Sequence, residues 1–292
     1  MLATRIHVSS CIAEASLNSV FGVSRWAIHR TSQSLVRRWQ STETQDTSYV
    51  SSYTLYQYRI CPFSNIAKVY LKSRGVPYDE VEVNPLSKAE LKFSKDGYKK
   101  VPILTTRTNG NTTDGEQLNG SESIIAYFEE QGDKGSSSDD ISSNSNELDR
   151  YAREKLAPLL YPNLCESLSS SFNAFNYVHT SPNNFTPLQR YSIQVVGSVA
   201  MYLAASKVKK KHGIDDPRKA LEDELLSLDE QLEGQEFLDD NSSTDKLSVG
   251  DLSVFGVLKG LEGLPISDEI MNDDRFSRLG RWYQKVDEIV VE

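Results

Sequence analysis

Hydrophobic and polar residues repeat with two different periods along this chain, and the change of period predicts two structural parts. Short stretches of two-residue alternation, typical of β-strands, are interleaved with helical patterns from residue 53 to about residue 128. The predicted order is β-α-β-α-β-β-α, with strands at about 53–58, 78–83, 101–105 and 116–118. From residue 147 onward only helical periodicity remains. The sequence therefore predicts an α/β part followed by an all-α part.

Turn and capping residues support these boundaries. Ser87 and Glu90 have the spacing of a capping box, which predicts a short helix in the connection after the second strand. Asn109-Gly110 predicts a hairpin turn between the third and fourth strands, and Ser121 predicts the N-cap of the helix that follows them. We therefore expect the first two strands to be joined by a parallel crossover and the last two by a hairpin.

Four segments are predicted from these patterns. Residues 1–50 are a targeting presequence or a disordered tail, residues 51–131 form the α/β domain, and residues 147–292 form the helical domain. Residues 132–146 are rich in serine and predict a flexible linker or a long surface loop. In the helical domain, Asp216 predicts a helix N-cap, and Ser248 with Asp251 predicts a second capping box.

The composition of this chain limits the kinds of partner that it is expected to bind. It has 292 residues, 38% of them hydrophobic, which is enough for real cores, and its formal net charge of −9 argues against a nucleic-acid surface. No apolar run approaches the roughly 20 residues that a membrane-spanning helix needs, so any membrane contact is expected to be peripheral.

The first 42 residues differ in charge from the rest. They contain several serines and one acidic residue, Glu14, together with five arginines: Arg5, Arg25, Arg30, Arg37 and Arg38. This composition is typical of a mitochondrial or plastid transit peptide, and the alternative is an ordinary disordered tail on a membrane-associated or cytoplasmic protein.

Cysteine and histidine usage excludes two kinds of site. The three cysteines, Cys11, Cys61 and Cys165, lie far apart in sequence and form no disulfide framework, which fits a reducing compartment. The four histidines are scattered without metal-ligand spacing, so no metal site is predicted.

Cys61 is the candidate reactive group, because it falls where a strand ends and a helix begins. Pro62 suits the first helical position, where its missing N–H costs nothing. The free N–H groups of a helix start stabilise a thiolate, so we expect the pKa of Cys61 to lie below that of a free thiol. Ser64 stands where redox pairs have a second cysteine, and any redox cycle would therefore need an external thiol such as glutathione.

The motif Cys61-Pro62-Phe63-Ser64 resembles the glutaredoxin active site with its second cysteine replaced. Together with the element order, it resembles a thioredoxin-like domain of the kind found in glutaredoxins and in the N-terminal half of glutathione transferases. That resemblance implies a glutathione transferase C-terminal-like helical domain after it.

Two further positions carry the resemblance to glutathione transferases. Val101-Pro102 resembles the cis-proline position, whose backbone pairs with the cysteinyl part of glutathione. Ser121 resembles the residue that holds the γ-glutamyl carboxylate at a helix N-terminus, a natural anion site. Gly120 departs from the acidic or amide residue that is usual before that serine. The resemblance implies a glutathione site at Ser64, Val101, Pro102 and Ser121.

Longer strings resemble the prostaglandin E synthase 2 family. They lie at residues 55–63, 81–85, 92–94, 100–104, 117–119, 197–203 and 251–258. The resemblance implies isomerisation of prostaglandin H2 to prostaglandin E2 with Cys61 as the essential thiol, Tyr58 as a hydrogen-bond donor to its sulfur, and Phe63 in the pocket wall. It also implies a homodimer and glutathione, and it links the family with haem, for which this chain offers no motif of its own.

Ser64 is the main departure, because the animal enzymes of that family carry a cysteine there. It favours the alternative of a glutathione-dependent monothiol oxidoreductase or transferase that works through Cys61. A non-catalytic factor that keeps the scaffold and binds a thiol ligand is a further alternative.

Overall fold

The sheet that carries the candidate thiol has four strands in the order β2-β1-β3-β4. The structure is a computed structural model that describes residues 53–106, 115–132, 143–180 and 183–291, all of them within one compact unit, residues 51–292. The strands are β1 (Tyr53–Gln57), β2 (Asp79–Glu82), β3 (Ile103–Thr106) and β4 (Gln117–Asn119). β1 pairs with β2 in parallel and with β3 antiparallel, and β3 pairs with β4 antiparallel. The predicted parallel crossover from β1 to β2 is confirmed.

Two helices complete the α/β part. Helix α1 (Pro62–Ser73) connects β1 to β2, and helix α2 (Gly120–Gly132) follows β4 directly. Pro62 occupies the first helical turn of α1, as predicted. The predicted turn at Asn109-Gly110 and the predicted transit peptide lie outside the described residues.

The predicted capping box at Ser87 is wrong. Only two 3-10 turns, Ala89–Leu91 and Lys95–Gly97, form between β2 and β3. The Glu90 carboxylate accepts the backbone N–H of Asn84 at 2.9 Å, and the Asn84 side chain accepts the N–H of Ser87 at 3.1 Å. Asn84 therefore takes the hydrogen bonds of Glu90 and of the Ser87 N–H that the expected cap would use, because short polar side chains readily bond nearby backbone groups.

The second part of the described chain is helical. Its helices are α3 (Ser143–Tyr151), α4 (Ala157–Leu164), α5 (Leu168–Ala174), α6 (Tyr177–Thr180), α7 (Pro187–Ser192), α8 (Ser198–His212), α9 (Pro217–Gln231), α10 (Val249–Lys259), α11 (Pro265–Met271) and α12 (Ser277–Val291). Five-residue π-helical segments join α3 to α4 and α7 to α8. Helix α3 starts at Ser143, four residues before the predicted start of the helical domain at residue 147.

Helices α1 and α10 hold the two parts together. A Cβ added at Gly256 would lie 2.6 Å from the backbone Cα of Ile66, so the two helices approach as closely as glycine allows. Ile66 and Phe255 are fully buried members of one core that also contains Leu55 of the sheet and Leu225 of α9. The α/β and helical parts therefore share a continuous hydrophobic core.

The start of α10 is fixed by a buried carboxylate. Ser248 caps the helix by accepting the N–H of Asp251 at 3.1 Å, which confirms half of the predicted box. Asp251 does not return a bond to the Ser248 backbone, but accepts the N–H groups of Leu238 and Asp239 and the indole N–H of Trp282. Asp251 therefore joins α10, α12 and the loop after α9.

Two absences concern possible partners. Among the described residues, no helix has the length and apolar content to cross a membrane. Within the same ranges, no group of three or more histidine, cysteine or carboxylate side chains is placed to hold a metal ion.

Candidate thiol site

Cys61 occupies the N-cap position of α1, directly after the turn that follows β1. Its N–H donates to the carbonyl of Tyr58 at 3.0 Å, and its carbonyl accepts the N–H of Asn65 at 3.0 Å. The side chain is 5% exposed. The sequence prediction of a thiol at a strand-helix junction is confirmed, but the thiol is more enclosed than expected.

Burial reverses the expected pKa shift. Loss of solvent raises the pKa of Cys61 above its ordinary value, although the N–H groups of Ser64 and Phe63 and the hydroxyl of Tyr161 favour the thiolate. Cys61 accepts no capping hydrogen bond of normal geometry from these N–H groups. The prediction of a lowered pKa is therefore wrong. It considered only the effect of the helix terminus, and the sequence did not show that the helical part of the chain covers Cys61.

The phenol that favours the thiolate is Tyr161, not Tyr58. Tyr161 lies on α4, and its hydroxyl lowers the pKa of Cys61. The buried Tyr58 Oη has no hydrogen-bond partner. Burial, the neighbouring Cys61 and two carboxylates raise the pKa of Tyr58 to about 12, so it stays protonated at neutral pH. Tyr58 is close to the sulfur as predicted, but the predicted hydrogen bond is not formed.

Two further tyrosines lie near the thiol. Burial and the adjacent Cys61 raise the pKa of Tyr98, whose hydroxyl lies 3.9 Å from a Cβ placed at Gly120. Burial is the main cause of the raised pKa of Tyr177 on α6, and the neighbouring Glu82 is the next. Tyr58 and Cys61 make smaller contributions. Four neutral phenols, from both parts of the chain, therefore lie around one thiol.

Glu82 at the end of β2 is the acidic member of this cluster. It accepts hydrogen bonds from the side-chain amide of Gln57 and from the N–H of Arg59, the latter at 3.2 Å, and the hydroxyl of Tyr177 also favours its charged form. Burial raises the pKa of Glu82 to about 7, against the opposing effect of these hydrogen bonds and of Lys68. The site thus holds a carboxyl group that titrates near neutral pH.

Two of the predicted glutathione positions, Val101 and Pro102, lie in the loop before β3. The Val101-Pro102 peptide bond is cis, as predicted. The N–H of Gly120, which has a φ of +85°, donates to the Pro102 carbonyl at 2.9 Å and ties this loop to the start of α2. Val101 packs in the same small hydrophobic cluster as Tyr58 and Tyr98.

Ser121 is buried in the first turn of α2, where its hydroxyl has a partner that the sequence did not indicate. It accepts a hydrogen bond from Nη1 of Arg153, which is 7% exposed and follows α3. Arg153 Nε also contacts both carboxylate oxygens of Asp149, at 2.8 and 2.9 Å. Nη2 of Arg153 is buried and has no hydrogen-bond partner.

The remaining sequence-predicted residues divide between core and site. Phe63 is partly buried and packs against the main core. Ser64 is fully buried beside the thiol, and its hydroxyl makes no hydrogen bond. Cys165 is buried and free, as is Cys61, so neither takes part in a disulfide.

Sequence reasoning missed Tyr98, Tyr161, Tyr177, Glu82 and Arg153. Each reaches the site through tertiary packing, and none lies in a motif whose spacing points to Cys61. The one local signal was that Glu82 ends a strand parallel to the strand that leads to Cys61, at the same edge of the sheet.

Comparison with known proteins follows the same division of the chain. A family model described as glutathione S-transferase, N-terminal domain matches residues 55–136. Over these residues the chain is similar to that domain. The fold there is the four-stranded thioredoxin-like one described above, and helices follow it.

Relatives and solved structures extend the similarity beyond that domain. Prostaglandin E synthase 2 from Mus musculus is 26% identical over 99% of this chain and 82% of its own length. Beta-etherase LigF from Sphingobium matches with a TM-score of 0.51 at 15% identity, covering 82% of this chain and 98% of the other. The glutathione transferase URE2P6 from Phanerochaete chrysosporium, solved with oxidized glutathione, matches with a TM-score of 0.50 at 16% identity. The match covers 84% of this chain and 96% of the other. The chain therefore has a glutathione transferase-like fold, and the predicted resemblance to prostaglandin E synthase 2 is confirmed.

Proposed function

We propose that this glutathione transferase-like protein is an enzyme that binds glutathione and isomerises prostaglandin H2 to prostaglandin E2 through Cys61. The observation that carries the proposal is one free thiol at a helix start, with neutral phenols around it and the hydroxyl of Tyr161 favouring its thiolate. Similarity to prostaglandin E synthase 2 along nearly the whole chain supports the choice of substrate.

The residues near Ser121 fit the carboxylate of glutathione. The Ser121 hydroxyl accepts from Arg153 and still has its own proton to donate, and Nη2 of the buried Arg153 lacks a partner. The first N–H groups of α2 add the positive end of a helix. Glutathione in this position would supply a second thiol beside Cys61.

The isomerisation needs no external oxidant or reductant. The Cys61 thiolate attacks one peroxide oxygen, an S–O bond forms, and the weak O–O bond breaks. The released oxygen takes a proton, and a phenol such as Tyr161 or Tyr58 is placed near the sulfur to donate it. The phenolate left by that transfer takes the C–H proton from the carbon that bears the S–O oxygen, the ketone forms, and the S–O bond breaks to restore the thiolate.

Product analysis tests this proposal. Purified protein is mixed with prostaglandin H2 with and without glutathione, and the products are separated by chromatography. We expect formation of prostaglandin E2 above the spontaneous background and its loss in Cys61→Ser, with Cys165→Ser as the matched control. Equal product from wild type and Cys61→Ser would overturn the proposal.

A second candidate function follows from Ser64. No second thiol stands three residues after Cys61, so a mixed disulfide formed on Cys61 is released by an external thiol. This chemistry is that of a glutathione-dependent monothiol oxidoreductase or transferase. Consumption of glutathione with a disulfide substrate, and no turnover of prostaglandin H2, would decide for it.

A further inference from the structure

Helices α7 and α8, with the π-helical segment between them, expose an apolar stripe on the helical part of the chain. The stripe consists of five side chains that are between 46% and 77% exposed: Leu188, Tyr191, Val196, Val199 and Leu203. They are five of the nine large hydrophobic side chains that are exposed in the described part of the chain. Exposed apolar residues that concentrate in one area mark an interaction surface, whereas single ones do not.

The opposite side of α8 carries small residues. The two buried residues of this helix are Ser198 and Ala205. Gly197, directly before it, lies so close to Phe175 that an added Cβ would be 2.8 Å from the aromatic ring. A surface helix ordinarily buries its large apolar side chains and exposes polar ones. Helix α8 does the reverse, so its large apolar side chains are available to something outside this chain's own core.

A basic end continues the same face of α8. Lys207 and Lys210 follow the stripe with its three- and four-residue spacing, and both are exposed. Lys209 and Lys211 adjoin them. None of these four lysines forms an ion pair or a side-chain hydrogen bond with any residue in the described ranges. Four unpaired cations therefore lie at one end of the apolar stripe.

The sequence around the stripe lacks negative charge. Residues 167–214, which include α5 to α8, contain no aspartate or glutamate, although the chain has 41 acidic residues and a net charge of −9. With histidine neutral, the charged side chains of this segment are Arg190 and the same four lysines. The exposed face of α7 and α8 is therefore apolar and cationic, which is complementary to a surface that is apolar and anionic.

An anionic phospholipid bilayer has both of these properties. A helix with exposed apolar side chains and a cluster of lysines lies along such a surface, with the apolar side chains at the acyl boundary and the lysines among the headgroups. A second copy of this chain fits less well, because pairing through the stripe would bring one cationic segment against another.

We propose that the stripe and its basic end bind this protein to an anionic phospholipid bilayer, with α7 and α8 lying along the membrane surface. The proposal does not depend on the proposed thiol chemistry, because no residue of the stripe or of its basic end takes part in that reaction.

Cosedimentation with sucrose-loaded vesicles measures this binding for the full-length protein. The vesicles consist of phosphatidylcholine alone or of an equal mixture of phosphatidylcholine and phosphatidylglycerol. The test variants are Val199→Ser/Leu203→Ser and Lys207→Gln/Lys210→Gln. The matched controls change exposed residues elsewhere, and they are Leu86→Ser/Val291→Ser and Lys92→Gln/Lys95→Gln. Far-ultraviolet circular dichroism checks that each variant is folded.

We expect wild type to bind the mixed vesicles more tightly than the neutral ones by about tenfold or more. Lys207→Gln/Lys210→Gln should weaken binding to the mixed vesicles by about tenfold or more, since each lysine near an anionic surface contributes about 1 kcal/mol. Val199→Ser/Leu203→Ser should weaken it by a similar factor, because apolar area is removed from the acyl boundary. Both controls should bind as wild type does.

Several results would overturn the proposal. Undetectable binding, or equal binding to the two kinds of vesicle, would exclude an anionic bilayer as the partner. Unchanged binding in either test variant, or an equal loss in its control, would mean that residues outside the stripe and its basic end are responsible. Sedimentation velocity without lipid tests for a second copy: a wild-type dimer that dissociates in Val199→Ser/Leu203→Ser would show that another copy covers the stripe.

Discussion

Cys61 reacts, in our account, from a covered position, and its neighbours decide how much thiolate forms. Burial raises its pKa, whereas the N–H groups of Ser64 and Phe63 and then the hydroxyl of Tyr161 lower it. The balance therefore depends on the groups that cover the sulfur as well as on the helix terminus.

Replacement of Tyr161 by phenylalanine should raise the pKa of Cys61 further, because it removes a hydroxyl that favours the thiolate. A bond of about 1 kcal/mol predicts a fall of roughly fivefold in the alkylation rate at pH 8. Tyr58→Phe is the matched control, since the Tyr58 hydroxyl makes no hydrogen bond, and its rate should change less. A larger slowing in Tyr58→Phe than in Tyr161→Phe would contradict this assignment.

Glu82 should make stability depend on pH. Its pKa is about 7 in the folded protein and about 4.3 in an unfolded chain, so the folded state binds more protons between these values. This contribution to stability is complete below about pH 4.3 and is lost as pH rises through 7. Urea unfolding at pH 5, 6, 7 and 8 should therefore show Glu82→Gln gaining stability relative to wild type as pH rises. Parallel pH profiles for the two proteins would exclude the raised pKa.

At the scale of elements, the sequence predicted correctly those helix starts and caps that depend on neighbouring residues. Pro62 and the cap at Ser248 were predicted correctly, since each is set by neighbours in sequence. The cis Val101-Pro102 bond was expected from the resemblance to glutathione transferases alone. The Ser87 capping box failed because Asn84 competes for the same backbone groups. The pKa of Cys61 and the role of Tyr161 were missed because α4 covers the thiol from 100 residues away in sequence.

Asp251 should contribute more to stability than the cap residue Ser248. Asp251→Ala leaves the buried donors of Leu238, Asp239 and Trp282 without their acceptor, at about 1–3 kcal/mol each. We expect a loss of at least about 3 kcal/mol in the free energy of unfolding, against about 1 kcal/mol for Ser248→Ala. Both values follow from urea denaturation, and equal losses in the two variants would show that the Asp251 network is not stabilising.

At the scale of the molecule, the α/β and helical parts share one core through the close contact of α1 with α10. We therefore predict one cooperative unfolding transition, with tryptophan fluorescence and far-ultraviolet circular dichroism giving the same midpoint. The tryptophan reporter in the described chain is the buried Trp282 on α12, whereas circular dichroism reports on both parts. Two separate midpoints would mean that the parts fold independently.

Both candidate functions require Cys61 to react from within a glutathione site. Incubation with oxidised glutathione, followed by peptide mass spectrometry, tests it directly. Attack of the Cys61 thiolate on one disulfide sulfur forms a Cys61-glutathione mixed disulfide and releases one glutathione thiolate. We predict this adduct on Cys61, slower formation in Tyr161→Phe, and none on the buried Cys165. An unmodified Cys61, or equal modification of Cys61 and Cys165, would contradict the account.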